Sequence, residues 1–184
     1  MIVYLHGFNS SPQSRKAQLL QRYMAERGLG EQFACPALPP SPREAARVIQ
    51  SVVGKESPCY VGSSLGGFYA TYLVETQGGK AVLINPATEP HVGLSAYLGP
   101  QRNVYTGEPY ELTSSHLAQW RELYVPKLTP QRYLLLVETG DEVLDYRRAM
   151  ERYAGAAQLV IEGGDHSLRS FPEHLPKILR FAGY

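Results

Sequence analysis

Two adjacent serines lie between glycines in the segment Tyr60–Tyr69, which reads YVGSSLGGFY. A serine held on a sharp turn from a strand into a helix needs small residues two positions before and two positions after it, because larger side chains would collide where the backbone folds back. Ser64 has Gly62 and Gly66 at these positions, whereas Ser63 has valine and leucine. The spacing therefore favours Ser64 as the apex of a nucleophile elbow, and a Gly/Ser-rich loop without chemistry is the alternative.

The residues on either side of Ser64 predict the strand and the helix that such a turn joins. SPCYVG indicates a short buried strand, and GGFYATYLVE is apolar nearly all round, as in a helix buried beneath its neighbours. Apolar runs separated by helical patterns continue along the chain. The predicted strands are Ile2–His6, Phe33–Leu38, Cys59–Gly62, Ala81–Asn85, Tyr133–Glu138 and Gln158–Glu162. The other predicted helices include Pro12–Arg27, Arg43–Val53 and His174–Phe181.

This alternation of strands and helices predicts the architecture. Strands that alternate with helices form a parallel sheet that is covered by helices on both faces. We therefore predict an α/β fold of three layers with a reduced parallel sheet of about six strands. The length of 184 residues suits a single domain, residues 1–184.

The candidates for a base and an acid stand near the end of the chain. A nucleophilic serine needs a base, and the base needs an acid that orients it. Asp141 follows one predicted strand, and Asp165 and His166 follow the next. In parallel sheets, sites gather at the carboxyl ends of the strands. The order Ser64, Asp141, His166 is the one expected for the catalytic triad of α/β-hydrolases, and we predict that Ser64 is the nucleophile, Asp141 the acid and His166 the base.

Each of these partners has an alternative interpretation. Asp141 also suits a helix N-cap, because DEVLDYRRAMERY predicts a helix and aspartate caps helices well. Asp145 is the alternative acid, although its position one turn into that helix predicts an exposed carboxylate near Arg148. His166 could be a structural histidine after the Gly-Gly-Asp turn, and Asp165 is predicted to serve that turn.

The oxyanion hole is predicted at the loop after the first strand. MIVYLHGFNSSP contains an apolar run that ends in His6-Gly7, with Phe8 next. In this arrangement one donor is the backbone N–H after the nucleophile, which is that of Leu65, and the second comes from the early loop. We predict the Phe8 N–H as the second donor, and we predict that His6 braces the loop by hydrogen bonds.

Five motifs stand in order along the chain: YLHGFNSSP, GSSLGGFYAT, LINPA, TGDEVLDY and GGDHS. Together they resemble the small bacterial YqiA-like esterases of the α/β-hydrolase superfamily, and the likeness covers essentially the whole chain. The resemblance implies an α/β-hydrolase fold without the two N-terminal edge strands. It also implies a serine ester hydrolase with nucleophile Ser64, acid Asp141, base His166 and oxyanion donors Phe8 and Leu65.

The acid loop departs from the commoner hydrolase pattern. There, Asp-x-Val is followed by another small apolar residue and a proline, whereas Leu144 and Asp145 stand at those places here. This departure keeps Asp145 as an alternative acid. The oxyanion loop is also of the short His-Gly-x type and not a multi-glycine type.

Residues 87–128 interrupt the alternation with about forty residues that contain no clear strand. Superfamily members place a cap above the nucleophile at this point, so we predict that residues 87–128 form a small, mostly helical lid. Its apolar underside is predicted to form one wall of an acyl pocket, from Leu94, Tyr97, Leu98, Leu117 and Trp120. The alternative is that these side chains only pack the lid onto the body.

Composition limits the classes of partner. The 18 basic and 17 acidic residues are scattered along the chain, which does not indicate nucleic acid binding. Neither a signal peptide nor a membrane span precedes the first predicted strand, so we expect no membrane partner. Cys35 and Cys59 lie on or beside predicted strands, which indicates free thiols in a reducing cytoplasm. The sequence does not specify an oligomeric state.

These observations predict a serine esterase that hydrolyses small-molecule esters with short- to medium-chain acyl groups. The chemistry requires no metal and no organic cofactor, and the spacing of His91 and His116 does not suit metal ligands. A thioesterase that acts on acyl-CoA with the same triad is the nearest alternative, because the triad does not fix the leaving group. A non-catalytic binding module on the same fold is the alternative from another class.

Overall fold

Six parallel strands form the central sheet of the protein, in a computed structural model that describes residues 1–54 and 57–184. The strands of the sheet are β1 (Ile2–Leu5), β2 (Phe33–Ala34), β3 (Cys59–Ser63), β4 (Lys80–Ile84), β7 (Tyr133–Glu138) and β8 (Ala157–Ile161). They are ordered β2-β1-β3-β4-β7-β8, and every neighbouring pair is parallel. The prediction of a parallel sheet of about six strands is confirmed.

Helices cover both faces of this sheet. They are α1 (Arg15–Ala25), α2 (Pro42–Val53), α3 (Leu65–Gln77), α4 (Pro90–Gly93), α5 (Ser114–Glu122), α6 (Tyr146–Arg152) and α7 (Phe171–Ala182). Because successive strand side chains point to opposite faces, Val3 and Leu5 enter one core cluster, and Ile2 and Tyr4 enter the other. The first cluster includes residues of α2, α3, α5 and α6, and the second includes residues of α1 and α7. The predicted three layers are therefore present.

The second strand is shorter than the sequence indicated. It was expected to run from Phe33 to Leu38, but β2 ends at Ala34 and pairs with β1 alone. The segment PALPP that follows Cys35 contains three prolines, which have no N–H to donate to a sheet. The chain therefore leaves the sheet early and crosses toward α2.

The segment 87–128 contains a β-hairpin as well as helices. Besides α4, a 3₁₀ turn at Leu94–Tyr97 and α5, it has the antiparallel strands β5 (Gly99–Arg102) and β6 (Pro109–Leu112). The sequence did not indicate these strands, because GPQR and PYEL are short and mostly polar and carry little of the apolar alternation that marks a half-buried strand. The role of the segment as a lid stays a prediction.

Within the described residues, no helix combines the length and the apolar composition needed to cross a bilayer. Cys35 and Cys59 are both free thiols, and Cys59 is buried. Burial raises the pKa of each thiol to about 12, so both are protonated at neutral pH.

Candidate active site

Ser64 lies on a sharp turn between β3 and α3. Its φ and ψ are 53° and −120°, a left-handed conformation that residues other than glycine rarely adopt. A Cβ atom at Gly62 would lie 2.4 Å from the carbonyl oxygen of Gly66, and one at Gly66 would lie 2.0 Å from the carbonyl oxygen of Leu5. Both glycines are therefore required by the backbone of the turn. Ser63 is the last residue of β3 and has no comparable position.

The turn brings Ser64 into a hydrogen-bonded line with His166 and Asp141. The Ser64 Oγ lies 3.0 Å from His166 Nε2, and His166 Nδ1 lies 2.8 Å from the Oδ2 of Asp141. The Asp141 side chain is 1% exposed and the His166 side chain 21%. An imidazole that donates from Nδ1 to a carboxylate has its Nε2 free to accept the serine proton.

The environment of Asp141 favours its charged form. Its Oδ1 accepts the backbone N–H groups of Val143 and Leu144 at 2.9 and 2.8 Å. Burial alone would raise the pKa of Asp141, but the hydrogen bonds from His166 and from these N–H groups outweigh it and lower the pKa. Asp141 therefore caps a turn of the loop, and the sequence-based view of it as a helix N-cap is wrong, because α6 begins at Tyr146.

Asp145 occupies a different place from the one expected. The sequence put it one turn into a helix near Arg148, whereas it is the N-cap of α6 and accepts the Arg147 N–H at 3.0 Å. The Arg147 guanidinium lies 3.7 Å from the same carboxylate. In the described chain, the imidazole of His166 is hydrogen-bonded to Asp141 and not to Asp145.

The loop after β1 packs directly against Ser64. A Cβ atom at Gly7 would lie 3.3 Å from the Cβ of Ser64 and 3.8 Å from its Oγ. Neither the Phe8 N–H nor the Leu65 N–H donates a hydrogen bond within residues 1–54 and 57–184. Two backbone donors beside the serine are thus available to a ligand, although their role as an oxyanion hole stays a prediction.

The side chain of His6 holds this loop through two hydrogen bonds. Its Nε2 accepts the Leu38 N–H at 3.1 Å, and its Nδ1 donates to the Gly7 carbonyl oxygen at 3.1 Å. The side chain is 3% exposed, and burial lowers the pKa of His6. A neutral imidazole that both donates and accepts suits the bracing role predicted for it.

The hairpin of segment 87–128 also holds the loop. Asn9, which has φ of 52°, receives a hydrogen bond from the Tyr110 hydroxyl at 2.6 Å and donates to the side chain of Gln101 at 3.1 Å. Asn103 donates to the Ser10 carbonyl oxygen at 2.8 Å. The residues that follow Phe8 are therefore fixed by a part of the chain in which the sequence indicated no strand.

Sequence reasoning missed two buried polar residues that hold the loop of His166. Asn85 donates from its Nδ2 to the carbonyl oxygens of Asp165 and His166, both at 3.1 Å. Glu138 accepts the Asp165 and Arg169 N–H groups at 2.8 and 3.0 Å. It also accepts the N–H and the hydroxyl of Ser170 at 3.0 and 2.6 Å. The NPA motif that contains Asn85 was a signal, but nothing local to Glu138 marks its role.

A cavity of about 770 Å³ opens over Ser64 and His166. Leu94 and Tyr97 of segment 87–128 line it, together with Val92. These side chains give the cavity an apolar wall on the side of the predicted lid.

The other three residues predicted for the pocket wall do not line this cavity in the part of the chain that the structure describes. Leu98 is exposed and Leu117 packs against the core. Trp120 is 1% exposed, and its indole N–H donates to the Tyr69 hydroxyl at 2.9 Å. For Leu117 and Trp120 the structure favours the alternative of packing, whereas the exposed Leu98 fits neither expectation.

The histidines of segment 87–128 have structural neighbours. His116 completes a capping box at the start of α5, where its Nδ1 accepts the Thr113 N–H at 3.0 Å. His91 packs against the ring of Tyr124. Among the residues with described positions, no group of three or more His, Cys, Asp and Glu side chains could hold a metal ion.

The sheet order and the elbow define this protein as an α/β-hydrolase by fold, and solved structures agree. A protein from Agrobacterium vitis with a provisional hydrolase name is similar with a TM-score of 0.77, at 18% identity over 98% of this chain and 87% of that one. Mouse alpha/beta hydrolase domain-containing protein 10 has a TM-score of 0.72 at 16% identity, over 97% and 87% of the two chains. A Paleococcus ferrophilus monoacylglycerol lipase has a TM-score of 0.63 at 19% identity, over 98% and 93%.

Within this class the chain belongs to UPF0227, a family described as uncharacterised, whose model matches residues 1–183. The match spans the elbow, the acid loop and the histidine loop together. The resemblance to YqiA-like proteins is confirmed by this assignment.

Proposed function

We propose that this protein is a serine hydrolase that cleaves carboxylic esters through an acyl-enzyme intermediate. The observation that carries the proposal is the line of hydrogen bonds from Ser64 Oγ through the imidazole of His166 to the buried carboxylate of Asp141. This is the arrangement that makes a serine hydroxyl nucleophilic. The monoacylglycerol lipase name of one structural neighbour agrees with ester hydrolysis.

Acylation begins when the Ser64 oxygen attacks the ester carbonyl carbon and its proton passes to His166 Nε2. The charge that builds on the carbonyl oxygen is met by the N–H groups of Phe8 and Leu65, and each such donor lowers the barrier by about 3–4 kcal/mol. Asp141 stabilises the imidazolium that forms. The tetrahedral intermediate then collapses, and His166 gives its proton to the departing alcohol.

Deacylation repeats these steps with water as the nucleophile. His166 accepts a proton from water, the hydroxide oxygen bonds to the acyl carbon, and the same two N–H groups receive the second oxyanion. The bond from the acyl carbon to Ser64 then breaks, and the proton returns to the serine as the carboxylic acid leaves. The residues of this chain supply each proton transfer.

The cavity suggests the size of the acyl group. Its volume of about 770 Å³ lies within the usual range for small-molecule sites, about 300–1,000 Å³. Leu94 and Tyr97 supply apolar contact area beside Ser64. A short- to medium-chain acyl group fits this wall, and small-molecule esters are the proposed substrates.

The two adjacent serines provide the test. Ser64→Ala should lower the kcat for 4-nitrophenyl butyrate by about 10⁴-fold or more, because no other hydroxyl is hydrogen-bonded to His166 within the described residues. Ser63→Ala is the matched control and should stay within about tenfold of the wild type, since Ser63 ends a strand. Equal losses in the two variants would mean that the register of the turn, and with it the assignment of Ser64, is wrong. That result would reject the proposal.

Labelling by a fluorophosphonate separates an enzyme from a binding module. The wild type should gain one label at Ser64, and the Ser64→Ala protein should gain none. A folded wild-type protein that stays unlabelled would favour binding without catalysis. Butyryl-CoA hydrolysis measured beside the oxygen ester then distinguishes a thioesterase.

A further inference from the structure

Three cationic side chains line the cavity that contains Ser64. Arg15 and Lys16 stand at the start of α1, and Arg148 stands on α6. None of the three forms an ion pair with a carboxylate within residues 1–54 and 57–184. Arg169 lines the same cavity, but its guanidinium is paired with Asp165.

Lys16 is the cation with the most specific placement. Its ammonium donates to the carbonyl oxygen of Ser167 at 2.7 Å, which uses one of its three donors. Burial lowers the pKa of Lys16 to about 8, although Asp165 and Glu138 oppose this effect. At neutral pH the group is thus charged, partly withdrawn from water and able to donate further hydrogen bonds. A charge in such surroundings interacts more strongly with an anion than an exposed lysine does.

Three carboxylates, Glu89, Glu142 and Asp145, also line the cavity. Asp145 accepts the Arg147 N–H as a helix cap, and Glu142 accepts the His166 N–H at 3.0 Å. Glu89 is exposed at the start of α4, in segment 87–128. None of these carboxylates forms an ion pair with Arg15, Lys16 or Arg148 among the described residues.

We propose that Arg15, Lys16 and Arg148 form a subsite for an anionic group of the substrate. The esters that this protein hydrolyses best then carry a carboxylate or a phosphate apart from the scissile bond. The apolar wall at Leu94 and Tyr97 takes the uncharged part. The inference rests on the proposed ester hydrolysis at Ser64 and deepens it to a class of substrate.

Matched ester pairs test the subsite. In the carboxylate arm, 3-carboxyphenyl butyrate is compared with phenyl butyrate, and in the phosphate arm 1-butyrylglycerol 3-phosphate is compared with 1-butyrylglycerol. Acid release is followed at neutral pH in a pH-stat. The readout is the ratio of kcat/KM for the anionic ester to kcat/KM for its neutral partner, because this ratio cancels any general damage to catalysis.

Lys16→Met and Arg148→Met should each lower this ratio by about tenfold in at least one arm, since a charge-assisted hydrogen bond is lost. Lys16→Arg should keep most of the ratio. Arg22→Met is the control: it removes an exposed cation from the same helix as Lys16, away from the cavity, and should leave the ratio unchanged. Added salt should lower the anionic rate and spare the neutral one.

The outcomes separate the two proposals. If the wild type has equal kcat/KM for neutral and anionic esters, and Lys16→Met lowers both kcat/KM values by the same factor, then Lys16 serves only the loop of His166. This result refutes the subsite and leaves the proposed ester hydrolysis intact. If Lys16→Met does not fold, an unchanged ratio in Arg148→Met overturns the subsite and a reduced one supports it. If the wild type hydrolyses none of the four esters, both proposals fail.

Discussion

Replacement of Glu138 should reduce both stability and catalysis, although Glu138 does not touch Ser64. Its carboxylate is 1% exposed and accepts four hydrogen bonds from the loop that carries His166. Glu138→Leu keeps a side chain of similar size but leaves the backbone N–H groups of Asp165, Arg169 and Ser170 without an acceptor. The Ser170 hydroxyl still has His174 Nε2 within 3.2 Å. A buried donor in that state costs about 1–3 kcal/mol, so the lower limit is about 3 kcal/mol if all three N–H groups stay buried.

The loop could avoid part of this cost by opening to water. In that case the three N–H groups become hydrated, but the loop between Asp165 and Ser170 moves, and the 3.0 Å contact of His166 with Ser64 is lost. Either response is measurable. A rigid loop predicts a large loss of unfolding free energy, and an opened loop predicts a smaller loss with a kcat reduced by about tenfold or more.

Glu138→Gln should have a milder effect than Glu138→Leu. The amide oxygen can still accept the Asp165 and Arg169 N–H groups, and the new NH₂ can donate to the Ser170 hydroxyl. The Ser170 N–H alone then lacks an acceptor, which predicts a loss of about 1–3 kcal/mol.

The difference between wild type and Glu138→Gln should also depend on pH. Burial alone would raise the pKa of Glu138, but the hydrogen bonds from Ser170, Asp165 and Arg169 outweigh it and hold the pKa below 4.5. A carboxyl whose pKa is lower in the folded state stabilises the fold above its unfolded pKa and loses that contribution as the pH falls through the folded value. The difference should therefore shrink below pH 4.5.

Urea denaturation and the kcat for 4-nitrophenyl butyrate supply the two measurements. Glu162→Gln is the matched control, because Glu162 follows the neighbouring strand β8 and is exposed; it should change the unfolding free energy by less than about 0.5 kcal/mol. A Glu138→Leu protein equal to the wild type in both measurements would refute the reasoning. A Glu138→Gln protein less stable than Glu138→Leu would also contradict it.

Two further variant pairs test the acid and the elbow. Asp141→Asn should lower kcat by about 10⁴-fold through the wrong imidazole tautomer, whereas Asp145→Asn should keep activity within a few fold of wild type; the reverse result in an ester assay would make Asp145 the acid. Gly66→Ala should cost about 3 kcal/mol or more in urea denaturation, because its Cβ would lie 2.0 Å from a backbone oxygen. Gly93→Ala, with nothing within 4 Å of its Cβ and helical φ and ψ, is the control and should lose no stability in the same measurement.

The sequence predicted the sheet better than its connections. Central strands such as Tyr133–Glu138 have the same limits in the structure, because they are continuous apolar runs. The hairpin at 99–112 was missed, since its pairing depends on two short polar segments that favour no strand by themselves. Asp145 was misplaced for a similar reason: an aspartate four residues after Asp141 offers a second cap, and only tertiary contacts decide which one begins the helix.

The candidate site shows the physical reason for this division. Ser64 is held by steric exclusion, which requires glycine at fixed distances along the chain, so its position can be read from a short segment. His166 is held by polar contacts from distant elements: Asn85 from the end of β4, Glu138 from the end of β7 and Lys16 from α1. Such contacts join residues far apart in the chain, so they leave no fixed spacing that could be recognised in a single sequence. The turn at Ser64 can therefore be predicted from the sequence alone, whereas the residues that position His166 emerge only from the assembled sheet.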